Sequence, residues 1–243
     1  LLGFASKKFE VKVDERVTKI RAILPGANCG GCGYPGCDAY ANALVEEGAD
    51  MSLCGVGGPN VAKQIGEILG VKVKPVEKKV AFVKCMGDCK NKKIQLNIPK
   101  DKTCIEAKEF LSDKESEGCG FGCFGLGSCK EACKFGAISI VDGIAKIDSS
   151  KCVACKACIR VCPQNLIDII KDDQKVIVNC NSNDSGKIVN KNCSVGCIGC
   201  KLCEKNCPNG AIKVENNLAI IDYEKCTSCG LCVSCLLYTS PSP

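Results

Sequence analysis

The distribution of apolar and polar residues predicts helices in the first third of the chain. In the segment 13–24, apolar residues at positions 13, 17, 20, 23 and 24 share one face of a helix, and Pro25 ends it. The segments 38–47 and 61–69 predict two further helices, which flank a glycine- and cysteine-containing stretch. The pattern therefore predicts a small helical domain at this end of the chain.

After these helices the apolar runs become short. The segment 71–79 is charged, contains proline and lacks helical periodicity, so it predicts a linker or an edge strand. Residues 80–83 predict a short strand, and residues 105–111 predict a helix. A mixture of short strands and short helices indicates an α+β arrangement in this part.

From Cys119 onward the chain repeats itself with a shift of 74 residues and no gap. Seven cysteines of the first copy recur in the second: Cys119, Cys123, Cys129, Cys133, Cys152, Cys155 and Cys158, then Cys193, Cys197, Cys203, Cys207, Cys226, Cys229 and Cys232. A long insertion-free repeat indicates two copies of one structural unit. Each copy is expected to contain paired short strands between its two groups of cysteines.

The segment 151–163, KCVACKACIRVCP, contains the spacing C-x2-C-x2-C-x3-C-P. This spacing is typical of bacterial ferredoxins, in which three thiolates bind one [4Fe-4S] cluster and the fourth binds a neighbouring cluster. Zinc sites instead use two C-x2-C pairs that are far apart in the sequence. The motif therefore predicts iron-sulfur clusters, with zinc and disulfides as the alternatives.

The composition supports metal-binding cysteines. The chain has 243 residues, of which 25 are cysteine and none is histidine. No secretory signal pattern opens the sequence, so the thiols are expected to be metal ligands in a reducing compartment. With few aromatic residues the core is small, and the apo protein is expected to be largely unfolded. The absence of histidine excludes Rieske-type sites and the commonest general base.

The formal net charge of +6 treats every cysteine as neutral. Four thiolates around an oxidised cubane leave about two negative charges, so five or six clusters would give the holoprotein a charge of about −4 to −6. No stripe of basic and aromatic residues is present. Nucleic acid is therefore not expected as a partner.

Four cysteines with close glycines follow the first predicted helix: Cys29, Cys32, Cys37 and Cys54. Glycines between ligands let the backbone wrap closely around a cluster. This spacing predicts a [4Fe-4S] site, and zinc is the alternative.

The ferredoxin pattern also predicts the ligand sets of the two copies, because the last cysteine of each motif binds the neighbouring cluster. One set is Cys133, Cys152, Cys155 and Cys158. A second set is Cys123, Cys129 and Cys162, with Cys119 as the expected fourth ligand, since Leu126 stands where the second copy has Cys200. An incomplete cluster is the alternative. One observation argues against Cys119 as this ligand. The second copy contains Cys193, the counterpart of Cys119, although it also has Cys200, so Cys119 and Cys193 are expected to have another role.

In the second copy the pattern predicts one complete ligand set, Cys207, Cys226, Cys229 and Cys232. Cys197, Cys200 and Cys203 form a set that lacks a fourth ligand in this chain. The prediction is five [4Fe-4S] clusters in the full-length protein. A sixth is an open hypothesis that would use the remaining cysteines, Cys85, Cys89, Cys104, Cys180 and Cys193.

Several motifs together resemble the B component of the Rnf electron-transport complex over residues 1–234. They are LPGANCGGCGYPGCDAYANAL followed by Cys54, then KCMGDC, GCFGLGSCKEAC and CIGCKLCEKNCP. The resemblance implies a protein on the cytoplasmic side of the cell membrane that accepts electrons from a reduced soluble ferredoxin. It also implies that the electrons pass to other subunits of a complex that reduces NAD and pumps sodium ions or protons.

The expected fold is α+β, a small helical 4Fe-4S domain followed by tandem bacterial-type 2x4Fe-4S ferredoxin-like units. The expected divisions are a membrane-anchor remnant or linker (1–12), the N-terminal 4Fe-4S domain (13–78), a connecting segment (79–118), the first unit (119–178), the incomplete second unit (179–234) and a foreign tail (235–243). A frayed apolar terminus is the alternative to an anchor remnant at 1–12. Cys235 is excluded as a native ligand because it is out of register with the repeat.

Two alternative functions remain open at this level. One is an electron-transfer subunit of another assembly, such as a hydrogenase or a corrinoid-activating reductase. The other is a zinc- or metal-binding protein without redox function. The chain contains neither G-x-G-x-x-G after a strand nor a P-loop, so no catalytic site for an organic substrate is expected, and flavin or NAD would bind elsewhere in an assembly.

Overall fold

A computed structural model describes residues 14–73, 75, 77–112 and 117–233 of the chain. The expected anchor remnant (1–12) and the expected foreign tail with Cys235 lie outside the described residues. The chain forms two compact units. The first is Leu1–Lys78 with Val153–Cys155, and the second is Lys79–Cys152 with Lys156–Pro243.

The described residues form helices and short strands in an α+β arrangement, as the sequence predicts. The helices are α1 (Glu15–Ile23), α2 (Cys37–Glu46), α3 (Gly58–Leu69), α4 (Cys104–Ser112), α5 (Ser128–Glu131), α6 (Ala157–Arg160), α7 (Gly186–Asn192) and α8 (Leu202–Lys205). The strands are β1 (Lys79–Val83), β2 (Ile138–Val141), β3 (Ile144–Ile147), β4 (Ile167–Lys171), β5 (Ile212–Glu215) and β6 (Leu218–Ile221). None of the helices in the described ranges is long and apolar enough to cross a membrane.

The first unit consists of α1, α2 and α3 around one apolar core. Its fully buried members are Val17, Ile20, Leu24, Tyr40, Ala41, Leu44 and Ile65. Asp14 caps α1, because its carboxylate accepts a hydrogen bond of 2.8 Å from the backbone N–H of Arg16. The Tyr40 hydroxyl donates to the carbonyl of Asp50 at 2.7 Å, which fixes the segment after α2. These contacts hold the cysteine-bearing loops on either side of α2.

The described residues of the second unit form three two-stranded antiparallel sheets. Strand β1 pairs with β4, with Lys79 opposite Lys171 and Val83 opposite Ile167. The other two sheets are the hairpins β2–β3 and β5–β6. The strands of the second hairpin lie 74 residues after those of the first, so the predicted pairing between the two groups of cysteines is confirmed in both copies.

Both hairpins turn through two residues with positive φ. Asp142 and Gly143 have φ of 50° and 76°, and Asn216 and Asn217 have φ of 48° and 63°. Two left-handed central residues define the type I′ turn that suits the twist of a hairpin. The two copies therefore share one turn geometry although their turn sequences differ.

Candidate metal centres

The described part of the chain contains no disulfide bond, and its cysteines are thiols. In those same ranges, no group of three or more Cys, Asp or Glu side chains is arranged to hold a single metal ion. The thiols instead surround several cavities. A cubane cluster binds each of its four ligands at a separate corner, so cysteines around a cavity are the arrangement that such a cluster requires.

In the first unit, the four predicted cysteines line one cavity of about 410 Å³. They are Cys29, Cys32, Cys37 and Cys54. The side-chain oxygen of Asn28 accepts a hydrogen bond of 2.8 Å from the backbone N–H of Cys37, which fixes the first turn of α2. The backbone N–H of Gly57 donates to Cys54 Sγ at 3.4 Å. Such donors stabilise a thiolate, so the cavity has the donor set that a [4Fe-4S] cluster needs.

A cavity of about 390 Å³ in the second unit is lined by Cys104, Cys123, Cys129 and Cys162. The structure differs here from the sequence-based expectation, since Cys104 occupies the place expected for Cys119. Cys104 is the first residue of α4, and its backbone N–H donates to Ser128 Oγ at 3.0 Å. Ser128 directly precedes Cys129, so this bond places α4 beside the cysteines of the first copy.

The thiols in this cavity also interact electrostatically. Burial raises the pKa of Cys129 to about 12, and the neighbouring sulfurs of Cys123, Cys104 and Cys162 contribute to the shift. Burial also raises the pKa of Cys123, whereas hydrogen bonds from the backbone N–H groups of Ala145 and Gly125 lower it. Without a metal the thiols of Cys123 and Cys129 keep their protons at neutral pH, so cluster binding would release protons from them.

The sequence had a weak signal for Cys104. Because no cysteine stands at Leu126, a complete cluster there needs one ligand from outside the half-motif. Cys119 is the nearer candidate along the chain, and spacing alone favours it. The geometry favours Cys104, because α4 begins at this residue and is hydrogen-bonded to the segment of Cys129, a tertiary contact without a sequence pattern.

Three of the four cysteines expected around the next cluster share one apolar environment. Cys158 is buried in the core that contains Ala81 and Leu166, and Cys133 and Cys152 pack against that core. The backbone N–H of Ala81 donates to Cys152 Sγ at 3.3 Å. The fourth, Cys155, belongs with Val153 and Ala154 to the first compact unit.

The second copy gathers its cysteines around an equivalent core. Cys203 and Cys232 are buried in that core, and Cys197, Cys207 and Cys226 pack against it. The other two predicted ligands, Cys200 and Cys229, are exposed.

Individual thiols of the second copy receive hydrogen bonds or lie close together. The backbone N–H of Ala211 donates to Cys207 Sγ at 3.3 Å. Burial raises the pKa of Cys203 to about 11, and the nearby sulfurs of Cys197 and Cys200 contribute to this shift. The expected set of Cys197, Cys200 and Cys203 is therefore brought together.

The sequence left five cysteines without a ligand set: Cys85, Cys89, Cys104, Cys180 and Cys193. Three of them, Cys85, Cys180 and Cys193, line a separate cavity of about 470 Å³ together with Cys119. Cys89 is exposed, and its backbone N–H donates to the carbonyl of Asp142 at 2.8 Å.

Two family models match this chain. A model described as "Putative Fe-S cluster" matches residues 24–56, which contain the four cysteines of the first unit. A model described as "4Fe-4S binding domain" matches residues 145–168, which carry the second group of cysteines of the first copy, and residues 196–213, which carry the first group of the second copy. These matches support [4Fe-4S] clusters as the cofactors of the chain.

Curated relatives extend the similarity over nearly the whole chain. The B component of the Na⁺-translocating ferredoxin:NAD⁺ oxidoreductase complex from Acetobacterium woodii is 46% identical, over 96% of this chain and 69% of that protein. The B component of the ion-translocating oxidoreductase complex from Methanosarcina acetivorans is 45% identical, over 96% and 88%. The B component of the proton-translocating ferredoxin:NAD⁺ oxidoreductase complex from Clostridium ljungdahlii is 41% identical, over 94% and 81%.

Proposed function

Because this chain belongs to the family of B components of ion-translocating oxidoreductase complexes, we propose that it passes electrons from reduced ferredoxin into such a complex. The chain is an iron-sulfur electron-transfer protein with other subunits of a membrane-associated complex as its partners. A soluble ferredoxin as the donor, a position on the cytoplasmic side and an N-terminal helix as membrane anchor are further parts of the proposal. The names of two relatives, which contain ferredoxin and NAD⁺, support the first part.

The cysteines bind the clusters and set their surroundings. Each [4Fe-4S] cluster, when bound, accepts and donates one electron. The thiols of Cys129, Cys158, Cys203 and Cys232 are buried, which keeps water away from the sulfur atoms. Backbone N–H groups reach the sulfurs of Cys54, Cys152 and Cys207, and such donors stabilise negative charge on a thiolate. Protein groups of this kind tune the reduction potential of each cluster.

One observation carries the proposal: several separate groups of cysteines surround cavities on a single chain. The sequence contains no motif for a catalytic site of another kind. A carrier of single electrons between two soluble partners needs fewer sites than this. Several cubane sites on one chain suit a relay between a donor and the rest of a complex. The relatives' names favour an ion-translocating oxidoreductase complex over a hydrogenase or a corrinoid reductase.

The experiment is a direct electron-transfer measurement under anaerobic conditions. The cluster-loaded chain is mixed with chemically reduced ferredoxin, and the visible absorbance of its clusters is followed by stopped flow. We expect the absorbance to bleach as ferredoxin is oxidised, and the chain stripped of its clusters, as control, to leave ferredoxin reduced. If dithionite bleaches the clusters but reduced ferredoxin does not, ferredoxin is not the donor and the proposal fails.

A further inference from the structure

The four cysteines of the largest described cysteine-lined cavity lie outside every segment that the family models match. Its volume is about 470 Å³, and its four cysteines are Cys85, Cys119, Cys180 and Cys193. The matched segments are 24–56, 145–168 and 196–213, so none of these four cysteines is assigned by them. All four belong to the second compact unit.

The sulfur atoms of two of these cysteines flank Gly87. A Cβ placed on Gly87 would lie 3.7 Å from Cys85 Sγ and 3.6 Å from Cys193 Sγ. A Cβ placed on Gly122 would lie 3.5 Å from Cys119 Sγ. These are ordinary van der Waals distances, so the backbone at Gly87 and Gly122 lies directly beside the sulfurs of the cavity.

Hydrogen bonds between distant segments assemble the site. The backbone N–H of Met86 donates to the carbonyl of Asn179 at 3.2 Å, and that of Lys93 donates to the carbonyl of Asn192 at 2.9 Å. Asn192 is buried, and its side chain donates to the carbonyl of Gly118 at 3.0 Å. The segments that carry Cys85, Cys119, Cys180 and Cys193 are thereby held against one another by the protein itself.

The four thiols are close enough to influence each other. Burial raises the pKa of Cys119, and the sulfurs of Cys85 and Cys193 contribute to the shift. Burial raises the pKa of Cys180 to about 11, with Cys119 among its electrostatic neighbours. Hydrogen bonds from backbone N–H groups lower both pKa values: the N–H of Phe121 acts on Cys119, and the N–H of Ser182 acts on Cys180.

The repeat explains why Cys119 and Cys193 are both present. They are equivalent positions of the two copies, 74 residues apart, and each precedes its half-motif. In two independent ferredoxin units they would serve different clusters. Here they line the same cavity, together with Cys85 and Cys180.

We propose that Cys85, Cys119, Cys180 and Cys193 bind a further [4Fe-4S] cluster, which joins the two ferredoxin-like copies. Zinc draws its sulfur ligands to about 2.3 Å from a single ion. Four thiols spread around a cavity fit a cubane instead, because each thiol binds a separate corner. The proposal concerns cluster binding, so its test does not depend on ferredoxin or on NAD reduction.

The test is the iron and acid-labile sulfide content of four variants purified anaerobically with the parent chain. C119S and C193S are each expected to lose about four iron atoms per chain. The double variant C119S/C193S is also expected to lose about four, because both residues serve one cluster. C89S is the matched control, since Cys89 lies in the same segment as Cys85 but is exposed, and its iron content is expected to stay unchanged.

Several results would overturn the proposal. A loss of about eight iron atoms in the double variant would place Cys119 and Cys193 in different clusters. An unchanged iron content in both single variants, or the loss of one zinc ion without iron, would exclude a cubane at this site.

A second measurement needs no substitution, so it remains decisive if the variants do not fold. The parent holoprotein is treated with a thiol-alkylating reagent, and the modified cysteines are mapped by mass spectrometry before and after chelation of iron. We expect Cys89 to react at once, and Cys119 and Cys193 to react only after chelation. Reaction of Cys119 and Cys193 in the holoprotein at the rate of Cys89 would contradict the proposal.

Discussion

The side-chain amide of Gln174 donates a hydrogen bond to Cys226 Sγ at a distance of 3.6 Å. The Gln174 side chain is buried, and it also donates to the carbonyl of Val176 and to Ser228 Oγ. In the first copy the equivalent cysteine is Cys152, and its sulfur receives a backbone N–H, that of Ala81. The sulfur atoms of these equivalent cysteines therefore accept hydrogen bonds from different donors, a side-chain amide in the second copy and a backbone N–H in the first.

This difference predicts that Gln174 raises the reduction potential of the cluster bound by Cys226. A donor to sulfur stabilises the more negative, reduced state more than the oxidised one. The Q174M variant keeps the side-chain length and removes the N–H groups. We expect the potential of one cluster to fall by about tens of millivolts, where about 59 mV corresponds to a tenfold change for one electron. A redox titration followed by electron paramagnetic resonance measures the shift.

The matched control is Q95M, because Gln95 is exposed and its amide donates to the carbonyls of Cys89 and Lys92 instead of to a sulfur. Its cluster potentials are expected to equal those of the parent chain. Equal potentials in Q174M and the parent chain would show that this hydrogen bond has no influence on the cluster.

The second prediction separates Cys104 from Cys119. Cys104 lines the cavity of Cys123, Cys129 and Cys162, whereas Cys119 lines the cavity of Cys193. The C104S variant is expected to lose about four iron atoms per chain, and C104S/C119S about eight, since two clusters are affected. Iron analysis decides. If C104S/C119S loses no more iron than C104S does, Cys119 binds the cluster of Cys123, Cys129 and Cys162, as the sequence predicts.

Cysteine spacing and apolar periodicity predicted much of this molecule. The helix predicted at 13–24 is α1, and the hairpins predicted in both copies are β2–β3 and β5–β6. Local patterns suffice for such elements, because helix faces and turns are determined by residues close in sequence. The roles of Cys104 and Cys119 depend on contacts between distant segments, for which a single sequence has no periodic signal.

The third prediction concerns removal of the clusters. The fully buried core of the first unit contains no cysteine, whereas the two main cores of the second unit contain Cys129, Cys158, Cys203 and Cys232. Chelation of iron is therefore expected to expose more of the second unit than of the first. Hydrogen exchange measured by mass spectrometry is expected to retain protection in α1 to α3 and to lose it in β2 to β6. Equal loss in both units would contradict this expectation.

The fourth prediction uses two glycines with similar backbone angles and different surroundings. Gly125 has φ of +73°, and a Cβ placed there would lie against the carbonyl oxygen of Gly143 in the hairpin turn, closer than real Cβ atoms come. Gly136 has φ of +61°, but nothing lies within 4 Å of such a Cβ. Both substitutions to alanine carry the cost of a left-handed residue, about 1 kcal/mol. Only G125A also forces the loop of Cys123 away from the hairpin.

The measurement for these glycine variants is the rate at which the clusters bleach on anaerobic heating. G136A is expected to bleach up to about fivefold faster than the parent chain, the equivalent of about 1 kcal/mol. G125A is expected to exceed that rate clearly. Similar rates in the two variants would mean that the close approach to Gly143 does not constrain this loop.

The fifth prediction tests where a reduced ferredoxin would dock. Ferredoxins are usually acidic, so the sequence favours a docking surface among the lysines between 84 and 102. The structure narrows this set. Lys84 pairs with Asp168 at 2.9 Å, Lys92 donates to the carbonyl of Cys123 at 2.6 Å, and Lys93 donates to the carbonyl of Asn190 at 2.7 Å.

Lys90 and Lys100 are exposed and are the residues of this segment to test, as K90E/K100E. The double charge reversal is expected to slow oxidation of reduced ferredoxin about tenfold at low salt, and less at high salt, because the attraction is screened. K63E is the matched control, since Lys63 is an exposed lysine on α3 of the first unit. Stopped-flow rates over a series of salt concentrations measure the effect. If K90E/K100E and K63E oxidise ferredoxin at the same rate at low salt, the electrostatic docking surface lies elsewhere on the chain.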